Sequence, residues 1–273
     1  EIKIAEKRVC MTPAGVVAMK KNGHDVLVEK TAGIAAGFLD EEYIAAGATI
    51  VDTPAGIFEK CDMVMHVKEP QPSEYDMIRE DQIIFTYLHL AADEQQTRAL
   101  IKSKSIDIAY ETIEKDNGSL PLLLPMSEVA GRMATQEAAK YLEMPQGGMG
   151  ILLGGVTGVE PATVVVIGGG VVGINAAKMA CGLGAKVYIL DTNLERLRYL
   201  DDVMPANCFP IMSNAAILEE FVIKADVVIG AVLVAGAKAP KLLTREMLKK
   251  MKDGSVIVDV AIDQGGCFET SKA

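Results

Sequence analysis

No two cysteines of this chain stand at C-x-x-C spacing. The five present, Cys10, Cys61, Cys181, Cys208 and Cys267, are scattered and odd in number. A disulfide framework and a cysteine zinc site are therefore disfavoured, and a reducing, cytoplasmic setting is expected. The three histidines, His24, His66 and His89, lack metal-ligand spacing, so no metal is expected. No apolar run approaches the roughly 20 residues that a membrane-spanning helix needs. A secretory leader is not expected either. Basic runs are absent too: 27 lysines and arginines stand against 37 aspartates and glutamates, for a net charge of −10. Phosphate backbones repel such a surface, so no nucleic-acid partner is expected. There is no internal repeat and no low-complexity segment.

What remains is an α/β chain. Its 273 residues are half hydrophobic, enough for two cores at about 100–200 residues per domain. Residues 1–120 alternate between helix-like and strand-like stretches. PAGVVAMKKNG reads as a helix with proline in its first turn and glycine at its stop. HDVLVEK, ATIVD, DMVMHVK, QIIFTYL and SIDIAYETI read as strands. DEEYIAAG, TPAGIFEK and ADEQQTRALIKSK read as helices. Such alternation predicts a mostly parallel sheet covered by helices. SEVAGRMATQEAAKYLE, residues 127–143, reads as a connecting helix after a serine start. The chain opens on charged residues at Glu1 and closes at CFETSKA without a helix, so it is expected to be part of a longer gene product.

Residues 164–173, VVVIGGGVVG, carry the most specific signal. A β-branched run feeds Gly168, Gly170 and Gly173 at G-x-G-x-x-G spacing. A helix-like segment follows, and a second strand, KVYIL, ends in Asp191. Strand, glycine turn, helix, strand and acid form the dinucleotide fingerprint in its required context. Gly168 permits the tight turn, Gly170 lets backbone approach a pyrophosphate, and Gly173 lets the helix pack closely. Val171 and Val172 open the helix, whose free N–H groups and dipole favour phosphate. Asp191 would accept hydrogen bonds from the adenosine ribose and repel a 2′-phosphate, so the expected cofactor is NAD rather than NADP. Beyond Asp191, NLERLRYLDDVM, ILEEFVIKA and TREMLKKMK read as helices, and DVVIGAVL and SVIVDVAI as strands. The expected fold is thus two doubly wound parallel-sheet domains flanking a cleft, the second a Rossmann NAD-binding domain.

Ligands of open α/β sheets gather beyond the carboxyl ends of strands. Lys68, Tyr87, His89, Glu111 and Asp263 all stand at such ends. Any one of them could be a solvated loop residue, or in the case of His89 a buried structural histidine. Together they suit hydride-transfer chemistry. Imidazole titrates near neutrality and suits proton shuttling. Lys68 and Arg8 supply positive charge, and arginine suits bidentate binding of a carboxylate. Asp263 could orient or activate a water.

The segments EIKIAEKRVCMTPAGV, VKEPQPSEYDMI, FTYLHLAADEQQT, PMSEVAGRMATQ, VIGGGVVGINAAKMA and VIVDVAIDQGGCFET, in this order, resemble bacterial L-alanine dehydrogenases along essentially the whole chain. The resemblance implies NAD-dependent, reversible oxidative deamination of L-alanine to pyruvate and ammonium. It implies that Arg8 binds the substrate carboxylate and that Lys68 contacts its carbonyl or carboxylate. Tyr87 lines the pocket, and His89 and Asp263 are the acid/base pair. On the cofactor side it implies Ser127, the glycine turn, Asp191, Arg196, Ser213, Val232 and Leu233. A homo-oligomer, a hexamer, is also implied. Domains of 1–126 (substrate) and 127–265 (NAD) are expected, with 266–273 starting a return to the first. Family chains begin with a short further strand and continue past the FET segment, where an Asn-Met pair faces the substrate. The alternatives are the NAD(H)-binding domain of a proton-translocating transhydrogenase and a truncated, inactive NAD-binding homologue. The transhydrogenases share R-V-x-x-T-P and the glycine turn but differ at PMSEVAGRMATQ and TYLHL.

Overall fold

Short polar side chains in front of apolar runs start the helices of the N-terminal half. The Thr12 hydroxyl accepts the Gly15 N–H and opens α1 (Pro13–Lys21), and Thr53 does the same for α3 (Pro54–Lys60) from Gly56. Both helices carry proline in the first turn, where its missing N–H costs nothing. Between them, the Glu42 carboxylate reaches back to the Leu39 N–H at the start of α2 (Asp40–Ala45). Asp93 accepts the Gln96 N–H and opens α4 (Glu94–Ser103).

These helices alternate with five short strands in a computed structural model that describes residues 1–232, 240–262 and 265–272. The chain forms two units, Glu1–Leu120 and Pro121–Ala273. In the first, β1 (Leu27–Glu29) pairs parallel with β2 (Thr49–Val51). The strands β3 (Met63–Met65), β4 (Ile83–Thr86) and β5 (Ile106–Ala109) pair parallel in that order. The expected single sheet is therefore hydrogen-bonded as two. A cavity of about 590 Å³ lies between them, lined by Leu27 and Val28 on one side and Met63, Val64 and Met65 on the other. The Met65 carbonyl accepts a hydrogen bond from the Cys10 thiol, at 3.1 Å. Phe58, Val64, Ile84, Leu88 and Leu100 form the core under the three-stranded sheet.

In the second unit α5 (Leu124–Tyr141) precedes β6 (Thr163–Ile167), α6 (Val171–Gly182), β7 (Lys186–Asp191), α7 (Leu194–Val203), β8 (Cys208–Met212), α8 (Ala215–Lys224), β9 (Val227–Gly230), α9 (Arg245–Leu248) and β10 (Val256–Asp259). The five strands are parallel in the order β10-β9-β6-β7-β8. Strand order reverses between β6 and β9, which makes the crevice above β6 the switch point where dinucleotides bind. Val164, Val165, Val166 and Ile167 are at most 3% exposed, and burying each contributes about 1.5–3 kcal/mol.

A strand absent from the sequence reading is β8. Its Pro210 interrupts the β pattern, yet it sits on the sheet edge, where the missing N–H faces no neighbouring strand. The helix expected over 127–143 starts at Leu124, with proline in its first turn. It packs on α6 so closely that a Cβ on Gly131 would meet the Val172 carbonyl at 2.2 Å. Cys267 and Phe268 are tied to the end of the sheet. Asp259, ending β10, accepts the Cys267 and Phe268 N–H groups, and both residues are buried in its core.

Candidate functional site

The first group of candidate residues gathers at the carboxyl ends of β3, β4 and β5. The Thr86 hydroxyl donates to the Lys68 carbonyl at 2.9 Å, and the Tyr87 N–H donates to the Val67 carbonyl. Lys68 and Tyr87 are thereby held side by side. The Tyr87 ring stacks on the His89 imidazole, with centroids 6.1 Å apart and planes 11° from parallel. Tyr110 meets Tyr87 edge-on at 5.0 Å. Burial raises the Tyr87 hydroxyl above the ordinary phenol range, against the opposing pull of Arg8. His89 adopts φ 49° and ψ 39°, a left-handed conformation that non-glycine residues seldom take and that marks functional sites.

Arg8 joins this group. Its guanidinium makes a forked ion pair with Glu6, Nε to Oε1 at 2.8 Å and Nη2 to Oε2 at 2.6 Å. The Arg8 hydrogen bond holds the Glu6 carboxyl down to about 2, with the Lys68 charge acting in the same direction. Sequence reasoning missed Glu6. The signal was its place two residues before Arg8, close enough for its carboxylate to accept the Arg8 backbone N–H as well. Among the described residues, no cluster of three or more histidine, cysteine or acidic side chains could hold a metal ion.

The second group forms a cradle at the carboxyl ends of β6, β7, β8 and β9. Gly168 has φ +101°, and its N–H donates to the Leu190 carbonyl at 2.7 Å. A Cβ on Gly170 would meet nothing within 4 Å, so the turn leaves open space in front of the α6 N-terminus. A Cβ on Gly173 would lie 1.8 Å from the Gly168 carbonyl oxygen. These residues fit a dinucleotide: bare backbone and unpaired N–H groups face the space a pyrophosphate needs. Val171 is half-buried, and Val172 is buried in the core, so Val172 can offer a phosphate only its backbone.

Asp191 does more than end a strand. Its carboxylate accepts the Gly169 N–H at 2.7 Å and the Asn193 N–H at 2.8 Å, clamping the glycine turn to β7. Each oxygen keeps a lone pair for a ribose hydroxyl. Arg196 donates through Nε to the Gly169 carbonyl and lies over the Tyr199 ring at 5.0 Å. The Ser213 N–H donates to the Asp191 carbonyl. Val232 follows β9, with its Cγ2 beside the Gly168 turn. Ser127 lies in the first turns of α5, its N–H donating to the Leu123 carbonyl. Leu233 and Asp263 lie outside the described residues.

A Rossmann sheet with a glycine cradle at its switch point, joined to a unit that gathers arginine, lysine, tyrosine and histidine, defines a nicotinamide-dependent dehydrogenase. The profile of the alanine dehydrogenase/PNT N-terminal domain matches residues 1–130, and that of its C-terminal domain matches residues 134–273. The chain belongs to the alanine dehydrogenase/PNT family. It is 56% identical to an alanine dehydrogenase of Methanococcus maripaludis over 270 residues, 99% of this chain and 72% of that one. An alanine dehydrogenase of Staphylococcus epidermidis is 55% identical over 271 residues, 99% of this chain and 73% of its own. A solved L-alanine dehydrogenase superposes with a TM-score of 0.91 at 51% identity, over 99% of this chain and 74% of that chain. A transhydrogenase from Sinorhizobium meliloti superposes at 0.83 with 29% identity, over 99% and 79%.

Proposed function

We propose that the protein catalyses the reversible, NAD-dependent oxidative deamination of L-alanine to pyruvate and ammonium. The observation that carries the reading is the joint presence of a dinucleotide cradle in one unit and the Arg8, Lys68, Tyr87, His89 cluster in the other. Identity above 50% to alanine dehydrogenases, against 29% to the transhydrogenase, favours it over the transhydrogenase reading and over an inactive homologue. NAD, when bound, accepts the hydride from the substrate α-carbon.

Arg8 binds the substrate carboxylate, whose two oxygens match its planar fork. Lys68 holds the oxygen of the keto acid and polarises its carbonyl carbon for amination. Tyr87 fixes the plane of the His89 imidazole. His89 takes a proton from the substrate amine and returns it as water adds and ammonia leaves. Asp263 holds that water. Ser127, Val171, Val172, Arg196, Ser213, Val232 and Leu233 would hold the dinucleotide, with Gly168, Gly170 and Gly173 receiving its pyrophosphate and Asp191 its ribose. A hexameric assembly and a cytoplasmic location complete the reading. No helix among the described residues is long and apolar enough to cross a membrane.

The direct test is NADH formation on addition of L-alanine, which neither alternative supports. Arg8→Met should raise KM for L-alanine about tenfold or more, the worth of a charge-assisted hydrogen bond. Its NADH affinity should be that of the wild type, and unchanged KM would remove Arg8 from the substrate site. Calorimetry should show NAD binding at least about tenfold tighter than NADP. Asp191→Asn, which keeps an oxygen for the Gly169 N–H, should narrow that gap. Equal binding by the wild-type protein would show that Asp191 does not meet the ribose.

A further inference from the structure

Backbone strain at His89 needs a cause, and the groups around it supply one. Among the described residues between β4 and α4, His89 is the only non-glycine with a left-handed φ, and two side chains from elsewhere hold the peptide groups beside it. The Glu111 carboxylate, 22 residues away in the turn after β5, accepts the His89 N–H at 2.7 Å and the Leu88 N–H at 3.2 Å. From the opposite side, Gln96 Nε2 of α4 donates to the Leu88 carbonyl at 2.8 Å. Leu88 and Gln96 are each 1% exposed, so this carbonyl would lose its partner if Gln96 moved. The His89 carbonyl in turn accepts the Ala92 N–H at 2.9 Å. The N–H and C=O groups of both Leu88 and His89 are thereby bonded.

We infer that Glu111, assisted by Gln96, is a positioning residue that holds His89 in its left-handed conformation and so keeps its ring stacked on Tyr87. The inference rests on the reading of His89 as the acid/base group. The chemistry favours it: a general base acts only within hydrogen-bond reach of the proton it takes, and the place of an imidazole on a turn follows the backbone torsions that these bonds hold. Without the carboxylate, the Leu88 and His89 N–H groups lose their acceptor, and His89 relaxes toward an extended backbone. Its ring then leaves the Tyr87 face, since the ring direction follows the Cα–Cβ bond.

In the full chain, Glu111→Ala should lower L-alanine turnover about tenfold to a hundredfold, the cost of a misplaced catalytic group. NADH affinity should not change, because the cradle lies in the second unit. Glu111→Gln keeps a carbonyl oxygen for the His89 N–H and should retain most of the turnover. Added to His89→Ala, Glu111→Ala should cause no further loss, because it acts through that imidazole alone. Wild-type turnover in Glu111→Ala, or losses that multiply in the double variant, would overturn the inference.

A second readout needs no substrate. Stacking on Tyr87 displaces the NMR signals of the His89 ring, which His89→Gln identifies among the three histidines. Glu111→Ala should move them toward the positions of an unstacked imidazole and leave His24 and His66 unmoved. Unmoved His89 signals overturn the positioning role whatever the substrate is. Moved signals in a protein that forms no NADH from L-alanine uphold it and overturn the substrate reading alone. If Glu111→Ala does not fold, Gln96→Met, close in volume, carries the same NMR test with the same two outcomes.

Discussion

His89→Ala should lose at least about 100-fold in L-alanine turnover, the usual cost of removing a general acid/base. The reaction moves protons more than once: off the amine, onto the leaving ammonia, and around the water that replaces it. One imidazole stacked on Tyr87 and held by its backbone can serve each transfer. NADH affinity should survive, since the cradle is built from β6, β7, β8, β9 and α6, none of which contains His89. Stopped-flow turnover together with an NADH titration checks both halves. A variant with wild-type turnover would make His89 structural and require another base. If the alanine side chain loosens the turn, as judged by circular dichroism, His89→Gln keeps the bulk and decides the question.

A pair of glycine substitutions should separate folding from cofactor binding. Gly173→Ala places a methyl group 1.8 Å from the Gly168 carbonyl oxygen, a backbone atom that cannot swing aside. Helix α6 must then shift on the sheet, destabilising the second unit by roughly 1–3 kcal/mol and weakening NADH binding with it. Gly170→Ala meets no atom of the protein within 4 Å, and φ −69° with ψ −166° is open to any residue. Its stability should stay within about 0.5 kcal/mol of the wild type. Its NADH affinity should still fall at least about tenfold, or 1.4 kcal/mol, because the new methyl stands where the pyrophosphate approaches. Thermal melting and NADH titration of both variants give the comparison. Unimpaired NADH binding by Gly170→Ala would mean that the dinucleotide does not cross this turn.

Several elements could be read directly from the chain. Proline after threonine marked α1 and α3, since both the cap and the first turn are settled within four residues. The glycine spacing, the β-branched run and the acid at the end of KVYIL marked β6, α6 and β7 for the same reason. Strand β8 escaped because Pro210 breaks the pattern, and only its edge position explains why proline is tolerated there. The split of the first unit into two sheets escaped as well. Strand periodicity says that a segment is extended, not which neighbour takes its hydrogen bonds.

By itself, the sequence determined the Rossmann unit, the glycine cradle and the placement of Lys68, Tyr87 and His89 at strand ends. Each of these depends on torsional preference, side-chain size and apolar periodicity within a short window. Tertiary structure alone decided that Asp191 clamps Gly169, and that Glu111 and Gln96 hold the peptide groups beside His89. Asp191 and Glu111 each act on a backbone N–H 22 residues away along the chain. Which lone pair meets which donor at that distance is set by strand register and helix packing, and these exist only once the cores have closed.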